Sequence, residues 1–264
     1  MSHADHSNAL NNVLSKVPAV TLGFWIIKIL ATTLGETGGD TVSLTMNLGY
    51  LSSTFIFLGV LVVLVIAQIM AKRFNPWLYW ATIIASTTAG TTMADFATRS
   101  LGIGYAGGSA ILLTSVIGVL LIWQLSEKSI SVDTVSTPRV EIFYWAAITV
   151  SQTLGTALGD WMADDAGIGF LGGAGVFAAA LGVVAALYFW TGISRALLFW
   201  AAFILTRPLG ATVGDFLDKP LDHGGLAFSR PVATAVLGAL ILAGILFLPQ
   251  KAGSHPGKSE TPAV

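Results

Sequence analysis

The sequence predicts an all-α polytopic membrane protein with eight transmembrane helices, built as four parallel tandem helical-hairpin repeats whose N- and C-termini are both cytoplasmic. Composition, an internal repeat and the number of apolar runs each point there. Charged residues make up 10% of the 264 and hydrophobic residues 54%, whereas soluble domains are roughly a quarter charged. The repeat is a Trp, a Gly ten residues later and an Asp five residues after that: Trp25/Gly35/Asp40, Trp80/Gly90/Asp95, Trp145/Gly155/Asp160 and Trp200/Gly210/Asp215. Successive copies are offset by 55, 65 and 55 residues. Self-similarity at a fixed period marks a tandem architecture.

Apolar runs near the length that crosses a hydrocarbon core occur at about 20–40, 48–71, 77–96, 103–125, 140–162, 168–192, 195–217 and 229–249. Pro18, Pro76, Pro138 and Pro231 stand at or near four of the starts, where a missing N–H is harmless and the fixed φ suits a first turn. Each repeat then reads as a hairpin, with the motif on its first helix and a plainer apolar second helix. The polar stretch Leu125 to Arg139 separates two halves and accounts for the longer offset. The organisation expected is a cytoplasmic tail at 1–19, a membrane half at 20–126, a linker at 127–139, a second half at 140–249 and a tail at 250–264. The first apolar segment lacks a small-residue cleavage site, so it is read as a retained helix.

Orientation follows from Lys and Arg. With the N-terminus inside, cytoplasmic segments hold Lys16, Lys72, Arg73, Lys128, Arg139, Arg195, Lys251 and Lys258, while the opposite loops hold only Arg99, Lys219 and Arg230. Every copy then enters the membrane in the same direction, so the repeats are parallel and their motif helices can surround one axis. The net charge of -1 carries no information on nucleic-acid binding, and with no basic stripe a nucleic-acid partner is not expected. There is no Cys, hence no disulfide and no thiolate metal site.

The acidic residues concentrate at the far ends of the motif helices: Glu36, Asp40, Asp95, Asp160, Asp164, Asp165, Asp215, Asp218 and Asp222. Carboxylates converging in a low-dielectric recess repel one another unless a cation or protons neutralise them. Asp40, Asp95, Asp160 and Asp215, with Glu36, are therefore the expected metal ligands, and Asp164, Asp165, Asp218 and Asp222 read as solvated loop charges. An Asp that close to the helix end has a plainer reading as an interfacial cap. The residues leading to each Asp are small or hydroxylated, among them Thr33, Thr88 and Thr153, which are candidate oxygen donors. Small residues also let membrane helices approach closely. A helix break is expected at Pro208.

Two basic residues interrupt the apolar stretches. Lys28 stands where the other copies have Ile83, Ile148 and Phe203, and Arg207 replaces a Thr or Gln. Lys28, Thr32 and Glu36 share a helix face, as do Arg207, Ala211 and Asp215. A charge at that depth costs at least about 2.5–3.5 kcal/mol, so partners are expected: buried ion pairs that pin helices, or counter-charges that compete with a substrate cation or mark an anion path. The repeated Trp reads as an interfacial aromatic belt with no chemistry.

Coverage from about Val20 to Leu248 by four Trp/Gly/Asp copies resembles the bacterial integral-membrane proteins defined by a repeat of unknown function, a likeness that implies architecture and a bacterial inner-membrane location. Glu36-Thr37-Gly38-Gly39-Asp40 is more faintly similar to the Glu-x-Gly-Asp motifs of cation/proton exchangers, with an extra residue before the Asp. The ligand types are carboxylate, hydroxyl and carbonyl oxygens; His3, His6, His223 and His255 lie outside the spans. Hard ions such as Mn²⁺, Mg²⁺ or Ca²⁺ suit that set. The expected function is a secondary transporter for a Mn²⁺-like divalent cation, exported against protons, with no tightly bound cofactor and with the lipid bilayer and a small inorganic cation as partners. A homo-oligomer is left open. The alternative is a non-transporting scaffold or sensor in which the polar residues only pack helices. An enzyme is not expected, because no nucleophile and base are placed together.

Overall fold

A computed structural model describes residues 15–253, which excludes most of the N-terminal tail, the end of the C-terminal tail and Lys258 of the orientation count. Among these residues the chain is all-helical, with eight long helices. The motif helices are α1 (Leu22–Asp40), α3 (Pro76–Asp95), α5 (Pro138–Asp160) and α7 (Arg195–Asp218). The plainer ones are α2 (Gly49–Met70), α4 (Tyr105–Glu127), α6 (Gly169–Trp190) and α8 (Arg230–Phe247). Thr21, Asn75 and Thr137 cap α1, α3 and α5 by accepting a backbone N–H, and Pro76 and Pro138 occupy the first helical positions. The expected break at Pro208 does not occur: α7 runs unbroken through it.

The four motif helices close into a ring, α1 on α3, α3 on α5, α5 on α7 and α7 back on α1. Each plainer helix packs on the first helix of the next repeat: α2 on α3, α4 on α5, α6 on α7 and, closing the circle, α8 on α1. This corrects the hairpin picture. The two helices of one repeat scarcely touch, so a repeat completes its neighbour rather than itself. The physical reason is that a lone repeat cannot bury its polar motif face, and only the closed ring can.

Polarity is arranged inside out. Helices α2, α4, α6, α7 and α8 are long and apolar enough to cross a membrane, the mark of a multi-pass membrane protein. In α7 56% of the apolar window is buried, against 17–22% in the outer four, whose apolar side chains such as Phe55, Val63, Phe189 and Phe247 face outward. The outer helices form an apolar sheath. Helices α1, α3 and α5 are less apolar because their hydroxyls and charges point into the ring.

The ring's cyclic order shows clearly at the end where the repeated Trp sits. The aromatic residue before each Trp packs on the Trp of the next repeat: Phe24 on Trp80 at 5.5 Å, Tyr79 on Trp145 at 5.9 Å, Tyr144 on Trp200 at 6.1 Å and Phe199 on Trp25 at 5.7 Å between ring centroids. Trp80, Trp145 and Trp200 are buried, and Tyr79 and Tyr144 share a 2.7 Å hydroxyl hydrogen bond. The expected interfacial belt is instead an aromatic plug, because side chains at the helix starts turn inward with the rest of the motif face. Trp80 Nε1 donates to Gln250 Oε1 and Trp200 Nε1 to the Ile130 carbonyl. The segments 15–19 and 251–253 also pair here, and Lys16 N–H donates to the Val135 carbonyl, so both described chain ends and the central linker meet at the Trp end.

At the other end, α1, α3 and α5 each widen just after the Asp into a five-residue π-helical turn, Thr41–Thr45, Phe96–Ser100 and Trp161–Asp165. Positive φ follows at Asn47 and Gly49, Gly102 and Gly104, and Gly167 and Gly169, seven and nine residues past the Asp. Only residues that tolerate the left-handed region suit those turns. The fourth copy departs, its helix continuing without a π turn to Asp218.

Candidate cation-binding centre

The repeated Gly exists for close approach. A Cβ at Gly90 would lie 2.9 Å from the backbone of Gln152 and Thr153, one at Gly155 3.0 Å from the backbone of Arg207, and one at Gly210 2.8 Å from the backbone of Thr32. At Gly35 it would meet Thr87 Oγ1 at 2.6 Å. In each case the intruding residue stands three before the Gly of the next repeat, so Thr87, Gln152, Arg207 and Thr32 fill one another's notches around the ring. The small residue just before the Asp does the same one turn on, with Thr91 against Gly39 and Glu36 against Gly214. Small residues permit this backbone proximity where larger ones would hold the helices apart.

That packing aims the residue after each Gly at the axis, where Glu36, Thr91, Thr156 and Ala211 form one layer. Arg207 reaches up from its notch into it. Its Nη2 donates to Thr91 Oγ1 and Thr156 Oγ1, each at 2.5 Å, and to Glu36 Oε2 at 3.0 Å. The fourth repeat thus supplies a cation to the same position in the other three. Arg207 is wholly buried and Glu36 nearly so; only Nη2 of the guanidinium is engaged, while Nε and Nη1 are buried without a hydrogen-bond partner among the described residues.

One turn farther lie the four repeated carboxylates, all buried. Arg99 bridges Asp95 at 2.9 Å and Asp160 at 3.2 Å. Lys219 bridges Asp40 at 2.9 Å and Asp215 at 3.0 Å. Arg230 lies 3.2 Å from Asp218 and 3.6 Å from Asp40. Burial of Arg99 works against its charge, but Asp160 and then Asp95 outweigh it and raise the guanidinium pKa. For Lys219 burial is likewise outweighed, by Asp215, Asp40 and Asp218, and the ammonium pKa is raised well above its usual value. Both stay charged at physiological pH.

The structure brings Glu36, Asp40 and Asp95 together with one oxygen each within 4.8 Å, and does the same for Asp40, Asp215 and Asp218. Asp160 joins through Arg99 rather than through direct proximity. The surface depression above this centre, about 210 Å³, is lined by Arg99, Asp164, Phe170, Lys219, Pro220 and His223.

Other expected site residues lie elsewhere. The hydroxyls of Thr33, Thr88 and Thr153 donate back to the carbonyls of Ile29, Ile84 and Thr149 on their own helices, so their hydrogens are not shared with the carboxylates. Lys28 is fully buried well below the ring, with a 3.4 Å hydrogen bond to Thr206 Oγ1 and the Phe203 ring 4.1 Å away; the ion pair expected of it is absent among the described residues. Asp164, Asp165 and Asp222 are exposed, as solvated charges should be. Asp218, read as one of them, is buried. Arg99, Lys219 and Arg230, counted only as loop charges, complete the centre. Spacing carried the signal: Arg99 and Lys219 each follow a ring Asp by four residues, on the same helical face.

Four segments, 23–74, 78–129, 143–194 and 198–251, match the model of a Repeat of Unknown Function (DUF347), and the chain belongs to that family. No curated protein and no solved structure matches it.

Proposed function

We propose that this repeat protein is a secondary transporter that exchanges a hard divalent cation, Mn²⁺-like, for protons across a bacterial inner membrane, in the direction of export. In this reading all eight helices cross the bilayer, both termini are cytoplasmic, the Trp end is the inner end and the carboxylate end is the outer one. The observation that carries it is charge balance. With all six ionised, the carboxylates of Glu36, Asp40, Asp95, Asp160, Asp215 and Asp218 face the four cations Arg99, Arg207, Lys219 and Arg230, which leaves a surplus of two negative charges among the described residues. One divalent cation or two protons neutralise that surplus. Exchange of one for the other keeps the centre electrically balanced, which a low-dielectric site demands.

The oxygen-only donor set supports a hard ion. The aromatic plug at the Trp end supports a carrier rather than an open pore, since Phe24, Tyr79, Tyr144 and Phe199 are buried there in one packed cluster. Arg207 is the internal counter-charge that holds Glu36 beside the site.

A second reading, a scaffold or sensor, draws on the fact that every ring Asp already meets a basic side chain. Vesicle flux separates the two. Protein reconstituted in liposomes, with Mn²⁺, Mg²⁺ and Ca²⁺ tested with and without a pH gradient, is expected to show gradient-driven flux that Asp160→Asn and Asp215→Asn abolish. Flux indifferent to both variants, or variants that only lower folded yield, would leave the scaffold reading.

A further inference from the structure

The carboxylate ring is not uniform, and its asymmetry singles out one side. Three residues past the ring Asp, the first three copies carry Ser43, Thr98 and Ala163, and both hydroxyls donate to carbonyls of their own helices. Only the fourth copy has a carboxylate there, Asp218, held on the ring by a helix that continues where the others widen. The side chain of Asp218 is 0% exposed. Its Oδ2 accepts from Arg230, while its Oδ1 has no hydrogen-bond partner among the described residues. Asp215 Oδ1 is equally buried and meets Lys219 Nζ at 3.0 Å without a hydrogen-bond geometry.

In the other close triad no buried oxygen of Glu36 or Asp95 is left without a partner among the described residues. Glu36 Oε2 accepts from Arg207, Thr91 and Thr156, and Asp95 is held by Arg99. A buried carboxylate oxygen without a donor is costly unless something absent from the protein itself satisfies it. We propose that the divalent cation binds at the seam where the fourth repeat meets the first, on Asp40, Asp215 and Asp218, with Asp218 as a ligand that the repeat motif does not contain. This rests on the transport reading and narrows its site.

The geometry suits the ion. One oxygen from each residue lies within 4.8 Å of the other two, and opposite oxygens around a hard cation stand up to about 5 Å apart. Two cations occupy the seam now, Lys219 and Arg230, and both keep some exposure, 16% and 23%. They lie toward the mouth, so an entering ion shares Asp40, Asp215 and Asp218 with them, and the charge count of the centre is kept. Water completes the coordination shell, as is usual when three carboxylates serve a six-coordinate ion.

Binding of Mn²⁺ to the purified full-length protein in detergent, read from the loss of the free-ion paramagnetic resonance signal, tests this. Asp218→Asn is expected to weaken binding by about tenfold or more, a larger loss than Asp160→Asn causes. Asp165→Asn, in an exposed turn, serves as the unaltered control. Because Asp218→Asn could also perturb folding, Arg230→Gln supplies a gain: removing a competing unit charge at about 4 Å is expected to tighten binding about fivefold. Undiminished binding in Asp218→Asn, or no tightening in Arg230→Gln, overturns the proposal. If Asp160→Asn proves the more damaging change, the seam assignment falls and the transport reading stands. If the wild-type protein binds no hard cation, both fall.

Discussion

Neutralising either member of the Arg207–Glu36 pair should unfold the protein far more readily than neutralising both. In Arg207→Met, Glu36 keeps only two long hydroxyl contacts at 3.4 Å, from Thr91 and Thr156, for a carboxylate that is 3% exposed. In Glu36→Gln, a fully buried guanidinium retains the two threonine hydroxyls and no counter-charge. Breaking one side of a buried pair costs about 3–5 kcal/mol, whereas apolar replacement of both is often near neutral. For a chain of this size a loss of that order lowers the unfolding midpoint by about 6–20 °C. The assay is a thermal melt of the detergent-solubilised single variants beside Glu36→Gln/Arg207→Met, analysed as a double-mutant cycle. The double variant is expected to recover about half or more of the larger single loss. Single losses that simply add would refute the placement of Arg207 on the axis.

Gly90→Ala, whose new Cβ would press on the Gln152 and Thr153 backbone at 2.9 Å, should destabilise by about 1–3 kcal/mol. Gly59→Ala, on the open outer face of α2, should be neutral or slightly stabilising by helix propensity; equal melts for the two would deny the notch packing. Lys219 gives a pH signature. Its pKa is raised in the folded protein, so its stabilising contribution is whole below the unfolded value of about 10.4 and is lost only as pH climbs through the higher folded one. Melting curves of wild type and Lys219→Gln should stay apart from pH 6 to about pH 10, and convergence near pH 8 would show that Lys219 does not pair with Asp40 and Asp215. Tyr79→Phe removes the 2.7 Å bond to Tyr144 inside the aromatic plug and should cost about 1 kcal/mol, read in the same melts.

The ring was legible in outline from the sequence. An Asp at a fixed distance from each Trp, on four helices of like direction, must recur at one level, and Asp40, Asp95, Asp160 and Asp215 do. What was not legible is who faces whom. Spacing reports neighbours on one helix, whereas the notches pair each Gly with the following repeat, and nothing in a single copy reveals that α2 completes α3 rather than α1. The same limit hid the plug: Trp at a helix start reads as interfacial until Phe24, Tyr79, Tyr144 and Phe199 are seen to pack on the next Trp. Nor does sequence reveal that the hydroxyls of Thr33, Thr88 and Thr153 donate back onto their own helices. Arg99 and Lys219 were the recoverable omission. Each stands one turn past a ring Asp, and only their tally as loop charges obscured it.

Proton release on metal binding probes the charge balance most directly. With the purified protein in a weakly buffered solution at neutral pH, Mn²⁺ addition should liberate about two protons for each ion bound, matching the surplus of two carboxylates over cations among the described residues of the centre. Binding with no proton released would contradict the exchange of one divalent ion for two protons.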